Sequence, residues 1–162
     1  MPQSEWIYDW NLASPPLIPP GTRVLLNDET LRDGLQNPSV HDPGLDEKIR
    51  ILHLMESLGI DSVNIGLPGA GPRAAEHTEA LAREIAANRM KIKPNAAART
   101  HENDIRPIVE ISQRVGIAIE AATFLGSSPI RRLVEDWTVD HLERTTENAV
   151  TFAVKNNLPS ML

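Results

Sequence analysis

The sequence predicts an α/β fold in which short buried strands alternate with amphipathic helices along one parallel sheet. Three observations carry this. Apolar runs recur along the chain, each followed by a polar loop and then by a stripe of apolar residues at helical spacing. Glycines close two of these stripes, at Gly59 and Gly116, and the interval between them is close to twice the roughly 30 residues of a strand–helix–strand unit. The runs are also apolar throughout rather than alternating, as strands buried on both faces are.

The elements follow in order. Residues 1–21 form an arm, with Trp6, Tyr8 and Trp10 at alternate positions ahead of the proline-rich "SPPLIPPG". Its prolines lock φ and remove amide donors, so the arm is extended and presents three rings on one side. It docks either on another subunit or across its own domain. Residues 22–162 are a single domain. Its first strand is "RVLLN", followed by a helix carrying Ile51, Leu54, Met55 and Leu58 and ending at Gly59. The second run, "SVNIG", passes through "LPGAGP" into a helix bearing Ala74, Leu81 and Ile85. The third centres on "IKPNAAA" and precedes a helix with Ile108, Ile111 and Val115, closed by Gly116. The fourth is "IAIEAATF", its helix runs from about Val139 to Lys155, and "LPSML" opens a fifth strand.

Either a doubly wound sheet or a barrel satisfies this pattern. A (β/α)8 barrel typically takes about 250 residues and rarely fewer than about 200, so on the barrel reading the chain holds about half of one. Such a half has two open strand edges.

Composition excludes several partners. Sixteen Lys and Arg against twenty-two Asp and Glu leave a formal charge of −6, which repels phosphate backbones and anionic lipid, so neither nucleic acid nor membrane is expected. With no cysteine there is no disulfide, no thiolate nucleophile and no Cys-ligated metal centre. No run approaches the roughly 18 apolar residues of a membrane span. Glu5 and Asp9 stand where a secretory signal carries basic residues. The expected location is the cytoplasm.

In parallel α/β folds ligands bind at the carboxyl ends of strands. After the first run stands "NDETLRDGLQNPSV", dense in Asp28, Glu29, Arg32, Asp33 and Gln36. Adjacent Arg and Asp at a strand end suit a site where the carboxylate meets a hard cation and the guanidinium faces a developing oxyanion. The same residues also suit an ordinary helix-start loop whose acids complement the helix dipole.

The string "DETLRDGLQ" resembles the first-strand motif of the DRE-TIM metallolyases, the barrel family of isopropylmalate, homocitrate and citramalate synthases and hydroxymethylglutaryl-CoA lyase. "GIDSVNIGLPGAGP", "NAAARTHENDI" and "ATFLGSSPI" are similar to the segments around the family's second, third and fourth strands, so the likeness covers nearly everything after the arm. The resemblance implies an α/β TIM-type barrel, present here as about four βα units plus the start of a fifth strand. It implies an acyltransferase that condenses acetyl-CoA with a 2-oxo acid on a divalent metal, Mg2+, Mn2+ or Zn2+. Carried over by position, Asp33 is the metal ligand, Arg32 the stabiliser of enolate or alkoxide charge, and Gln36 a polar group near the substrate. Arg99, Thr123 and Ser127 lie at matching strand ends and are candidates to grip the substrate carboxylate. Each has an alternative: Arg99 pairs with Glu102, or Ser127 caps a turn before Pro129.

Two departures stand out. Where the family's second strand carries a Glu that contacts both the Arg and the Asp, this chain has Asn64, an amide without negative charge. The family's metal-ligating His-x-His pair lies on a later strand and would fall beyond Leu162. His41, His53, His77, His101 and His141 are scattered and include no such pair. His101, at a strand end, is the one with a functional case, while His53 rides on a helix surface. The chain alone is therefore expected to hold metal weakly and to be inactive. Two alternatives remain: a half barrel that dimerises as a binding module, and a lyase running the reverse reaction. "PGAGP" lacks both the P-loop Lys and the dinucleotide spacing and is expected to be a turn into a Pro-started helix. Arg131 and Arg132 either meet a CoA phosphate or are solvated.

Overall fold

The computed structural model describes residues 21–161. The aromatic and proline arm therefore lies outside the described residues, except for Gly21. Five strands form the sheet: β1 (Asn27–Asp28), β2 (Ser62–Asn64), β3 (Lys93–Arg99), β4 (Glu120–Phe124) and β5 (Ser160–Met161). Between them run α1 (Leu45–Leu58), α2 (Pro72–Asn88), α3 (Glu102–Val115), α4 (Pro129–Glu135) and α5 (Val139–Lys155). The strand order is β1-β2-β3-β4-β5 and every pairing is parallel.

That order decides between the two architectures the pattern left open. A doubly wound sheet reverses direction at a switch point. A strictly sequential sheet with right-handed crossovers places every helix on one face. Here α1 packs on α2, α2 on α3 and α3 on α5, a continuous helical layer. The chain is a partial, unclosed (β/α) barrel.

The core lies between sheet and helices. Val63, Ile65, Ala96, Ala98, Ile119 and Ala121 meet Leu52, Met55, Leu81, Ile85, Ile105 and Ile108, all buried. The other sheet face is polar at one level, because the register aligns Asn64 with Asn95 and Asn95 with Glu120. Strand β3 is buried at five consecutive positions, Pro94 to Ala98, which accounts for its lack of polar–apolar alternation, with Asn95 the one polar side chain among them.

The predicted helix stops hold, with Gly59 and Gly116 in the left-handed region at φ 78° and 80°, where a Cβ is costly. Side chains cap three N-termini: His101 Nδ1 accepts from Asn103 N–H, Ser128 Oγ from Arg131 N–H, and Thr138 Oγ1 from His141 N–H, each at 3.1 Å. "PGAGP" is a 3-10 turn followed by Pro72 at the first position of α2, as expected.

Three expectations are corrected. The first strand is two residues long rather than "RVLLN", and Val24, Leu25 and Leu26 are exposed. At a sheet edge those residues have a neighbour on one side only, and Asp61 holds them through Leu26 N–H at 2.9 Å. The buried stripe of α1 is Lys48, Leu52 and Met55, while Leu54 and Leu58 are exposed. Helix α1 is first in the layer and packs against one helical neighbour, α2, so only the side turned to the sheet and α2 is covered. Helix α4 was not anticipated; its seven residues bury none of their side chains, so they leave no core-facing stripe to read.

Candidate functional site

The chain turns sharply on leaving β1. Arg32 N–H and Gly34 N–H both donate to the Glu29 carbonyl at 3.1 Å, and Asp28 Oδ1 accepts from Thr30 N–H at 2.7 Å. Leu31, 4% exposed, pins the turn to the core. This fold-back sets Arg32 over Glu29. Its Nη2 donates to Glu29 Oε2 at 2.5 Å and its Nη1 to Asp33 Oδ1 at 2.8 Å. Arg32 and Asp33 thus lie on the same side of the loop, held as an ion pair. Arg32 is largely covered, whereas the Asp33 side chain is 60% exposed.

Behind this triad runs a chain of amides across three strands. Asn95 Nδ2 donates to Asn27 Oδ1 at 2.7 Å, and Asn27 Nδ2 donates to Glu29 Oε1 at 2.8 Å. Ser62 Oγ donates to Asn27 Oδ1 at 2.8 Å. Asn64, fully buried, directs Nδ2 toward Glu29 Oε1 at 3.5 Å and accepts from Gly66 N–H at 3.2 Å. Asn64 thus meets the Arg32 triad through Glu29. Asn27 and Asn95 were not singled out, and Glu29 was named only among the charges of the loop, without a role. The available signal was Glu29 three positions before Arg32 in a turn-forming loop, the spacing of a local ion pair.

Arg32 and Gln36 also line a cavity of about 460 Å³ with Asp42, Lys48, Arg73 and His77. Buried Lys48 extends Nζ to Asp42 Oδ1 at 2.8 Å and to His77 Nδ1 at 3.3 Å, and Arg73 reaches Asp42 Oδ2 at 3.0 Å. An ammonium has only donors, so His77 Nδ1 accepts. The Lys48 hydrogen bond holds the Asp42 carboxyl below its usual range, against opposing desolvation. Burial, and then the charges of Lys48 and Arg73, lower the His77 value. The lowered His77 value favours the neutral ring, and Lys48 and Arg73 share one counter-ion in Asp42, which leaves an excess of positive charge at this end of the cavity, a setting for an anionic ligand.

The other candidates lie elsewhere. Arg99 forms a fork with Asp104, Nε to Oδ2 at 2.6 Å and Nη2 to Oδ1 at 3.0 Å. This raises the arginine's value and lowers that of Asp104, the hydrogen bond being the larger cause in each. The partner is Asp104 and not Glu102, which pairs with Arg106. Thr123 and Ser127 line a different cavity against Leu142, Thr146 and Val150 of α5. Alternation along β4 sets buried Thr123 on the helix-facing side with Ala121, so it does not join Arg32. Ser128, not Ser127, caps the turn into α4. Arg131 pairs with Glu135 at 3.0 Å and lies over the Trp137 ring, and His53 pairs with Glu84 at 2.7 Å. His101 serves as a helix cap.

Among the described residues, no three His, Cys, Asp or Glu side chains converge as a metal site. Asp33 is one carboxylate, already engaged by Arg32, and one such ligand binds a divalent ion weakly. The described residues therefore do not by themselves make up a metal shell. No described helix is long and apolar enough to cross a membrane.

Known proteins extend these observations. The HMGL-like family model matches residues 23–158. The 2-isopropylmalate synthase of Methylococcus capsulatus is 32% identical over 139 residues, which cover 82% of this chain and 24% of that protein. That of Vibrio vulnificus is 31% identical over 133 residues, covering 82% and 24%. That of Neisseria meningitidis is 34% identical over 114 residues, covering 67% and 20%. The chain spans about a quarter of the length of these relatives. With a family match across nearly the whole described region, on a partial barrel whose first loop carries the Arg–Asp pair, this chain belongs to the HMGL-like family.

Proposed function

We propose that this chain is part of a metal-dependent acyltransferase that condenses an acyl-CoA, acetyl-CoA, with a 2-oxo acid. The observation that carries the reading is the placement of the Arg32 guanidinium beside Asp33 at a strand end, next to a cationic cavity. In a Claisen condensation, negative charge grows on the ketone oxygen as the carbon–carbon bond forms, and a fixed guanidinium stabilises it; water then hydrolyses the thioester of the adduct and free CoA leaves. Arg32 takes that role, Gln36 offers a polar contact from the same cavity, and Asp33 would be one ligand of a divalent metal. The metal, when bound, supplies Lewis acidity. Lys48 and Arg73 favour an anionic substrate electrostatically. The relatives named 2-isopropylmalate synthase support this substrate class.

The test is release of free CoA from acetyl-CoA in the presence of a 2-oxo acid and Mg2+. The 162-residue chain alone is expected to give none. A chimera in which residues 23–158 replace the matching stretch of the Methylococcus capsulatus synthase is expected to give release that depends on both substrates. A folded chimera inactive both as built and with Glu29→Gln and Asn64→Glu combined contradicts the reading.

A further inference from the structure

We infer that Glu29 is a positioning residue that supplies, from the first-strand loop, the carboxylate that the second strand lacks at Asn64. The inference rests on the proposed role of Arg32. Glu29 is clamped at both oxygens. Oε2 accepts from Arg32 Nη2 at 2.5 Å, while Oε1 accepts from Asn27 Nδ2 at 2.8 Å and faces Asn64 Nδ2 at 3.5 Å. The Asn64 amide is therefore aimed at the other oxygen of the carboxylate that balances Arg32.

The residue types at 29 and 64 are matched. Two carboxylates at that separation repel, and burial at position 64 sharpens the penalty. An amide donor is the side chain that tolerates Glu29 there. The arrangement also frees Asp33. Its pairing with Arg32 Nη1 is solvent-exposed, and when Asp33 turns to another partner Glu29 still neutralises the guanidinium. Arg32 Nε is buried without a hydrogen-bond partner, so Glu29 and Asp33 at the two Nη atoms are what orient the group.

The experiment follows the Arg32 Nη–H signals by 1H–15N NMR at low temperature in the 162-residue chain, with the backbone amide spectrum as the control for folding. Wild type is expected to show a slowly exchanging Arg32 signal. Glu29→Gln should speed its hydrogen exchange about tenfold, the scale of losing a charge-assisted hydrogen bond, with backbone peaks outside residues 27–36 unmoved. Glu29→Gln with Asn64→Glu should restore slow exchange, because the carboxylate returns from the second strand. If Glu29→Gln fails to fold, Glu29→Asp replaces it, with intermediate exchange expected because the shorter chain falls short of the guanidinium. Arg32 exchange unchanged in the folded Glu29 variant, or not restored in the folded double variant, overturns the inference. These signals do not depend on turnover, so failure here is distinct from an inactive chimera.

Discussion

Arg32 carries two carboxylates on one guanidinium, and they differ in how firmly they are held. Glu29 is tied at its far oxygen by Asn27, while Asp33 is open to solvent on the remaining Nη. The fork between Arg99 and Asp104 is another arginine–carboxylate unit at a strand end, and it ties the end of β3 to the first turn of α3. Its contribution has a defined pH window. Arg99 holds the folded Asp104 carboxyl below its ordinary value of 3.8, so on acidification the unfolded chain takes up the proton first. The stabilisation is complete above that value and is lost as pH falls through the folded one. Asp104→Asn should lower the urea unfolding free energy by about 1–3 kcal/mol at pH 7. The gap from wild type should narrow in titrations taken below 3.8; a gap that is constant with pH contradicts the assignment.

At the scale of elements, the contact between the segment after β2 and α2 leaves no space at one point. Gly66 has φ +148°, and a Cβ there would lie 2.3 Å from Thr78 Oγ1. Gly66→Ala is expected to destabilise by about 2–4 kcal/mol through strain and overpacking, and Thr78→Ala in the same chain should recover part of that loss. Thermal melts of the single and double variants decide it. Helix α1 gives a sharper contrast. Leu52 is fully buried, whereas Leu54 is 62% exposed. Leu52→Ala should cost about 2–5 kcal/mol, while Leu54→Ala should stay within about 0.5 kcal/mol of wild type. Equal losses in denaturant titrations would refute the assigned face.

The same helix shows where sequence reading stops. Periodicity places a helix over this stretch and Gly59 ends it, but Leu54 and Leu52 are equally apolar on paper; only the neighbour on one side distinguishes them. Strand β3 was legible because it is covered on both faces. Strand β1 shrank because an edge segment keeps its apolar residues without burying them. In the site, the Arg32–Asp33 pair was readable from a nine-residue string, since adjacent residues in a turn stay together. The Asn95–Asn27–Glu29 chain joins residues up to 68 positions apart, and Asp104 displaced Glu102 as the partner of Arg99 by a choice of helix face. Neither leaves a periodic trace.

As a whole molecule, the described chain is a curved parallel sheet with helices on one face and with both edge strands lacking an outer neighbour. Val24, Leu25 and Leu26 are exposed beside one edge strand, and Phe124, Leu133 and Val134 are exposed in and after β4. Unpaired edges with apolar flanks promote association. Light scattering should return a weight-average mass above 17.9 kDa that grows with concentration for the isolated chain. A strictly monomeric species at all concentrations contradicts this reading of the edges.

The central claim is that the Arg32 guanidinium, oriented by two carboxylates, stabilises the oxyanion of an acyl-CoA condensation. Its most direct test is kcat for CoA release by the chimera carrying Arg32→Ala, with its unfolding temperature measured alongside. A loss of about 10²–10³-fold is expected, the scale for removing one oxyanion donor, at an unfolding temperature near that of the parent chimera. A folded variant that keeps kcat within a few-fold of the parent contradicts it.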